Sequence, residues 1–141
     1  MNALTFYKWS RSLRMKGMGP LSSLIDMINY LVFGCILPSH AQIGSTTRIE
    51  HRGVAVVVNR RAVIGEGCSI GAQVVIGGKG KDSLGVPTIG DDVFIGAGAK
   101  LLGPIQIGNG ATIGANSVVL IDVPEGGTAV GVPARILPRA N

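Results

Sequence analysis

The 141-residue sequence has few of the residues that build metal sites, disulfide frameworks or nucleic-acid surfaces. Its two cysteines, Cys35 and Cys68, lie far apart and lack the spacing of metal ligands or redox pairs. We therefore predict reduced thiols and no metal site. The net charge is +5, but the sequence contains no nucleic-acid-binding motif, so we expect no nucleic-acid partner.

The sequence also lacks a secretory signal and a long hydrophobic run. The basic start of the chain is not followed by an apolar core and a cleavage site. The most apolar stretch, residues 24–37, contains Asp26 and Asn29 and is too short to span a bilayer. These absences predict a cytoplasmic protein.

Residue types are distributed unevenly along the chain. Five of the six aromatic residues and all four methionines precede residue 35, whereas 19 of the 22 glycines follow it. Two kinds of structure are therefore expected. We predict a helical segment at residues 1–35 and a domain of different construction at residues 36–141.

The glycine-rich part contains a repeat of six residues. Aliphatic residues recur at this spacing at Ile64, Ile70, Ile76, Ile89, Ile95, Leu101, Ile107, Ile113 and Val119. A small or aliphatic residue usually stands four places after each, so two positions per repeat face the same side of a strand. Three such strands close a triangular coil, and coils stack about 4.8 Å apart. The repeat predicts a mainly β protein, a parallel β-helix, rather than a sandwich with less regular turns.

Two insertions interrupt the repeat. Ile64 follows Ile49 by 15 positions and Ile89 follows Ile76 by 13, and neither step is a multiple of six. The second insertion contains residues 78–87, which are rich in glycine and lysine and are predicted to form a loop. Because insertions in repeat proteins cluster on the binding face, we expect both to help form a site.

Two helices are predicted before the repeat, at residues 4–15 and 20–32. Pro20 suits the first turn of the second helix. Its apolar residues form one stripe, at Leu21, Leu24, Ile25, Ile28, Leu31 and Val32. The helices would cap the open end of the β-helix, join subunits or rest on a membrane surface.

Several segments together resemble the serine acetyltransferase branch of the hexapeptide acyltransferases. They are IEHRGVAVVVN from residue 49, IGEGCSIGAQVVIGGKGK from residue 64, IGDDVFIGAGAKLLG from residue 89, IGANSVVL from residue 113 and GVPARI from residue 131. The resemblance covers about residues 36–137. It implies left-handed coils, a homotrimer and acetyl-CoA bound between neighbouring subunits.

The resemblance implies that His51, in the first insertion, is the catalytic base. A hydroxyl attacks a thioester poorly unless its proton is removed, and imidazole, with a pKa of about 6.5, suits this task. The alternative is a surface histidine that bonds to a neighbour. Glu50 and Asn59 are the predicted substrate-binding residues. Ile36 stands where the family has an orienting aspartate, so Glu50 or a backbone carbonyl is the expected replacement.

Acetyl-CoA requires small residues along its pantetheine chain and cations at its phosphates. The family's small-residue positions correspond here to Gly77, Gly78, Ala97, Gly98 and Ala115. The candidate phosphate ligands are Lys79, Lys81 and Arg135. The alternatives are that the small residues only form coil corners and that the lysines only keep the loop soluble.

Two departures from the family pattern concern the acceptor. Serine acetyltransferases have an Arg-His pair at the end of the loop that holds the carboxylate of the amino acid. Here residues 84–87 are Leu-Gly-Val-Pro, and residues 56–59 are VVVN. Both features resemble sugar O-acetyltransferases of polysaccharide assembly, so the sequence favours a sugar hydroxyl. L-serine as acceptor and a non-catalytic trimeric scaffold are the alternatives.

Overall fold

A computed structural model describes residues 1–81 and 85–138 of the chain. The two predicted helices are present, with α1 at Ala3–Met15 and α2 at Gly19–Phe33. Fourteen short strands follow among the described residues: β1 Gln42–Ile43, β2 Arg48–Ile49, β3 Val57–Val58, β4 Val63–Ile64, β5 Ser69–Ile70, β6 Val75–Gly77, β7 Thr88–Ile89, β8 Phe94–Ile95, β9 Lys100–Leu102, β10 Gln106–Ile107, β11 Thr112–Ile113, β12 Val118–Val119, β13 Thr128–Gly131 and β14 Ala134–Ile136. Leu84 and part of the predicted loop lie outside the described residues.

The strands form three sheets that run along the molecule. Sheet I has the order β1-β4-β7-β10, sheet II the order β2-β5-β8-β11-β13-β14 and sheet III the order β3-β6-β9-β12. The chain visits sheets I, II and III in turn, and all pairs are parallel except the β13–β14 hairpin. This confirms the predicted hexapeptide β-solenoid.

The repeated aliphatic residues fill the interior of the solenoid. In sheet II, Ile49, Ile70, Ile95 and Ile113 pair in register, and each is at most 6% exposed. The small residues four places after the repeat positions, such as Ala99, are also buried. The two inward positions per repeat therefore build one continuous core.

We expect Ile95→Ala to destabilise the protein by about 2–5 kcal/mol, because it removes a fully buried side chain from the middle of this stack. Phe94→Ala is the matched control, since Phe94 lies in the same strand but is 51% exposed. Thermal and urea unfolding of both variants measure the difference. Equal losses for the two variants would contradict the inward assignment.

The two insertions lie at corners of the coils. The step from Ile89 to Ile107 in sheet I takes 18 residues, which is three repeats of six. The first coil is three residues longer because it contains a 3₁₀ turn at His51–Gly53. The second coil is seven residues longer because it contains the segment at 78–87. The walls of the solenoid therefore keep their register despite both insertions.

Helix α1 caps the first coil, as one of the sequence interpretations predicts. The Tyr7 hydroxyl donates to the Ala41 carbonyl at 2.7 Å and accepts from the Ile43 N–H at 3.1 Å. Burial raises the pKa of Tyr7, which keeps the phenol protonated in this donor role. Tyr7 is 1% exposed, so the cap is an integral part of the core.

Helix α2 packs through its polar side rather than its apolar stripe. Ser22 and Asn29 are buried, and Asp26 accepts hydrogen bonds from Ser10 in α1 and Ser39 in the first coil. The outward-facing apolar side chains of α2 include Leu21, Leu24, Met27, Ile28, Leu31 and Val32, each at least 36% exposed. An apolar stripe alone therefore did not predict which side of this helix packs.

No helix in the described part of the chain has the length and hydrophobicity to cross a bilayer.

Candidate functional site

The corner between sheets II and III, called here the II–III corner, carries the candidate base and a column of alanines. The His51–Gly53 turn occupies this corner in the first coil. Ala72, Ala97 and Ala115 occupy it in the next three coils, where the Gly98 N–H bonds to the Ala72 carbonyl. Ala97 and Ala115 are exposed. The structure therefore places His51 at one end of a strip of small residues.

The turn at His51 has a strained backbone. The φ angles of His51, Arg52 and Gly53 are +49°, +61° and +89°, and two of these residues carry a Cβ. Left-handed conformations of non-glycine residues cost free energy and are concentrated at functional sites. The turn packs against α1, because a Cβ built on Gly53 would lie 2.8 Å from the Ala3 Cβ. The helical cap therefore supports the turn from behind.

The imidazole of His51 is exposed and, among residues 1–81 and 85–138, has no hydrogen-bond or ion-pair partner. The Glu50 carboxylate instead accepts a hydrogen bond from the Ser69 hydroxyl at 3.1 Å. Ile36 pairs with Val57 through its backbone. Glu50 does not orient His51 within one chain, so the identity of the orienting group stays a prediction.

The corner between sheets III and I, the III–I corner, carries other predicted residues. Asn59 lies beside β6, since its N–H bonds to the Ile76 carbonyl, and its side chain accepts from the Arg61 N–H. Gly77 ends β6, and a Cβ added there would meet no atom within 4 Å. A side chain at Gly98, by contrast, would collide with Asn116, so coil packing explains this glycine. Gly77 therefore borders open space, whereas Gly98 does not.

The predicted phosphate ligands are not all close together along the solenoid. Gly78 and the exposed Lys79 and Lys81 follow β6 at the III–I corner, and the Lys79 side chain passes Gly103 of the next coil. Arg135 lies on β14, at the far end of sheet II. The lysines share an edge with Gly77, while Arg135 is separated from them by the last coils.

A cavity of about 410 Å³, called here the α1–β2 pocket, lies between the cap and the first coil. Its charged lining residues are Lys8, Arg48 and Glu50, and Asn2, Thr5 and Thr46 contribute polar atoms. Glu50 directly precedes His51 in the chain, although His51 itself does not line the pocket. Sequence reasoning missed Lys8 and Arg48. The only signal for Arg48 was its outward position next to the inward Ile49.

One wall of this pocket is fixed by Glu66. Its carboxylate accepts hydrogen bonds from the Thr46 hydroxyl and N–H, at 2.6 and 2.7 Å, and from the Ser45 hydroxyl. These bonds favour the charged form and lower the pKa of Glu66 from about 4.5 to about 2.

A carboxylate with a lowered pKa stabilises the fold above its ordinary pKa, and this contribution is lost as the pH falls towards the folded value. We therefore expect wild-type protein to lose stability between about pH 4.5 and pH 2 through Glu66. Glu66→Gln should show a smaller loss over the same range. The melting temperature measured across pH 2–7 tests this, and an unchanged slope in the variant would refute it.

Comparison with known proteins agrees with this geometry. Residues 87–120 match the family model described as bacterial transferase hexapeptide (six repeats). The chain is 38% identical over 140 residues to a serine acetyltransferase of Synechococcus elongatus, with 99% of this chain and 57% of the relative aligned. It is 35% identical to the serine acetyltransferase of Helicobacter pylori strain J99, with 99% of this chain and 81% of the relative aligned. The chain thus spans little more than half of the first relative.

Solved structures agree as well. Soybean serine acetyltransferase complexed with serine has a TM-score of 0.88 at 43% identity, covering 96% of this chain and 56% of that one. The Brucella abortus strain S19 enzyme in complex with coenzyme A has a TM-score of 0.91 at 35% identity, covering 99% and 56%. These relatives do not support the predicted similarity to sugar O-acetyltransferases. The chain belongs to the serine acetyltransferase family of hexapeptide-repeat transferases.

Proposed function

We propose that this protein is an acetyl-CoA-dependent O-acetyltransferase in which His51 is the general base. The observation that carries the proposal is the II–III corner, where a strained, exposed histidine turn adjoins a column of small residues in successive coils. A narrow acyl carrier can lie along such a column, and strain at His51 indicates a functional role.

The chemistry requires one acyl transfer and two proton transfers, one to the imidazole and one from it. The imidazole takes the proton of the acceptor hydroxyl as its oxygen bonds to the thioester carbonyl carbon. The carbon–sulfur bond then breaks, and the CoA sulfur takes the proton from the imidazolium. No covalent enzyme intermediate is needed, and burial, which raises the pKa of Cys68, disfavours a thiolate there.

The predicted cofactor residues support binding between subunits of a homotrimer. His51, Ala97 and Ala115 lie at the II–III corner, whereas Gly77 and Lys79 lie at the III–I corner, the opposite edge of sheet III. Two protomers packed side by side would bring one corner of each type together. Light scattering coupled to gel filtration should then give a molar mass three times that of one chain.

L-serine is the acceptor that we propose first, because the relatives are named serine acetyltransferases. A sugar hydroxyl remains the second candidate, since the described end of the loop at Gly85-Val86-Pro87 carries no charge. To test both, purified protein is mixed with acetyl-CoA and either L-serine or nucleotide-linked sugars, and free CoA thiol is measured. No release with either acceptor class, together with no CoA binding in calorimetry, would favour the scaffold alternative.

A further inference from the structure

We propose that the α1–β2 pocket binds the carboxylate of an α-amino acid acceptor, with Arg48 and Lys8 as its ligands and Glu50 as the partner of the ammonium group. This inference rests on the proposed acetylation of L-serine and adds which residues of this chain bind the carboxylate of the acceptor. It assigns a role in specificity to two cations outside the predicted site.

Arg48 provides a free charge at the pocket. Its side chain is exposed, and within the described ranges its guanidinium has no hydrogen-bond or ion-pair partner. Its backbone is held firmly, because the Arg48 N–H bonds to the Cys68 carbonyl at 2.8 Å in the neighbouring coil. A guanidinium on a rigid strand suits a carboxylate, which it can bind with two parallel hydrogen bonds.

Lys8 supplies a second cation from the opposite wall. Its ammonium donates to the Ser45 carbonyl at 2.8 Å, which holds it at the pocket and leaves two N–H groups for a ligand. Lys8 is carried by α1, whose first turn also lines the pocket. Cations on both walls give the cavity a charge that complements an anionic group.

Glu50, which precedes His51 in the chain, provides the opposite charge in the pocket. Arg48 and Glu50 are two residues apart at β2, so their side chains leave the same side of the chain about 7 Å apart. The Glu50 carboxylate accepts one hydrogen bond from the Ser69 hydroxyl, and its remaining lone pairs can accept hydrogen bonds from an ammonium group. This order of charges, two cations followed by the carboxylate that precedes His51 in the chain, fits a zwitterion. A neutral sugar would leave both charges unpaired, which opposes its binding.

The first experiment measures binding without turnover. L-serine is titrated against wild type, Arg48→Met and Lys8→Met, and bound ligand is detected by ligand-observed NMR. We expect each substitution to weaken L-serine binding roughly tenfold to a hundredfold, and Arg48→Lys to restore part of it. Lys16→Met is the matched control, because Lys16 is an exposed lysine just after the other end of α1 and should have no effect.

The second experiment uses serinol, which keeps the hydroxyl and ammonium groups of serine but lacks its carboxylate. In the acetylation assay, Arg48→Met should raise the KM for L-serine and leave the KM values for serinol and acetyl-CoA unchanged. An equal increase for L-serine and serinol would overturn the carboxylate assignment.

Failure of this inference and failure of the proposed function give different results. Arg48-dependent binding of L-serine supports the pocket even if no acetyl transfer is seen. If wild type binds a UDP-linked sugar through Arg48 but not L-serine, the cations serve a phosphate and the amino-acid assignment is wrong. Acetyl transfer with no effect of Arg48→Met or Lys8→Met overturns the inference and leaves the proposed function intact.

Discussion

Replacement of His51 by alanine should lower kcat for acetyl transfer by about 10²–10⁴, the usual contribution of a general base. His51 is the histidine that the first insertion adds to the II–III corner, and its exposed imidazole is free to reach a hydroxyl. Steady-state kinetics with L-serine and acetyl-CoA measure the loss. The KM for acetyl-CoA should change little, because the substitution leaves the column of alanines intact.

Arg52→Ala is the matched control for this experiment. Arg52 lies in the same turn, is exposed and has a similar left-handed φ of +61°, so both variants place alanine in the same strained conformation. Melting temperatures should therefore shift by similar amounts in the two variants. Equal kcat values in His51→Ala and Arg52→Ala would show that the turn, and not the imidazole, matters.

Gly53→Ala should also reduce kcat, on the order of a hundredfold, although Gly53 has no side chain that could take part in the reaction. Its φ of +89° disfavours a side chain, and the added methyl group would lie 2.8 Å from the Ala3 Cβ. The turn must shift away from α1 to relieve this contact, and His51 shifts with it. A displacement of about 1 Å at a catalytic group can cost a factor of 10².

Two further variants test this explanation. Gly110→Ala introduces the same methyl group at a φ of +66°, but with no atom within 4 Å, so it should cost stability and not activity. Ala3→Gly combined with Gly53→Ala removes the contact and should recover much of the lost kcat. The glycine in α1 should lower the free energy of unfolding by about 1 kcal/mol. A double variant as inactive as Gly53→Ala would exclude support of the turn by α1.

The solenoid could be predicted from the sequence because its inward positions recur every six residues. Ile89, Ile95 and Leu101 each face the core, as their spacing indicates. The insertion that holds His51 was recognisable as a break in that spacing. Both helices were also predictable, since Pro20 marks the first turn of the second and Gly17, with a φ of +79°, separates them.

The packing of α2 and the α1–β2 pocket were not predictable in the same way. The hydrogen bonds that Asp26 accepts from Ser10 and Ser39 join three segments far apart in sequence, and no repeating sequence pattern predicts them. Arg48 and Lys8 are likewise 40 positions apart and meet only after α1 caps the first coil. The prediction of a sugar acceptor relied on the absence of charge at residues 84–87 and on VVVN at residues 56–59, whereas the relatives are serine acetyltransferases.

The stacked register also determines where proteins of this shape can change in length during evolution. One residue added inside a strand would turn its later side chains to the wrong side of the wall. Duplication of a whole 18-residue unit, such as the one from Ile89 to Ile107, preserves every inward position. Additions that leave the wall, as between Ile76 and Ile89, preserve them too. Changes in chain length are therefore expected at the corners of the coils, while the three sheets that form the walls keep their register.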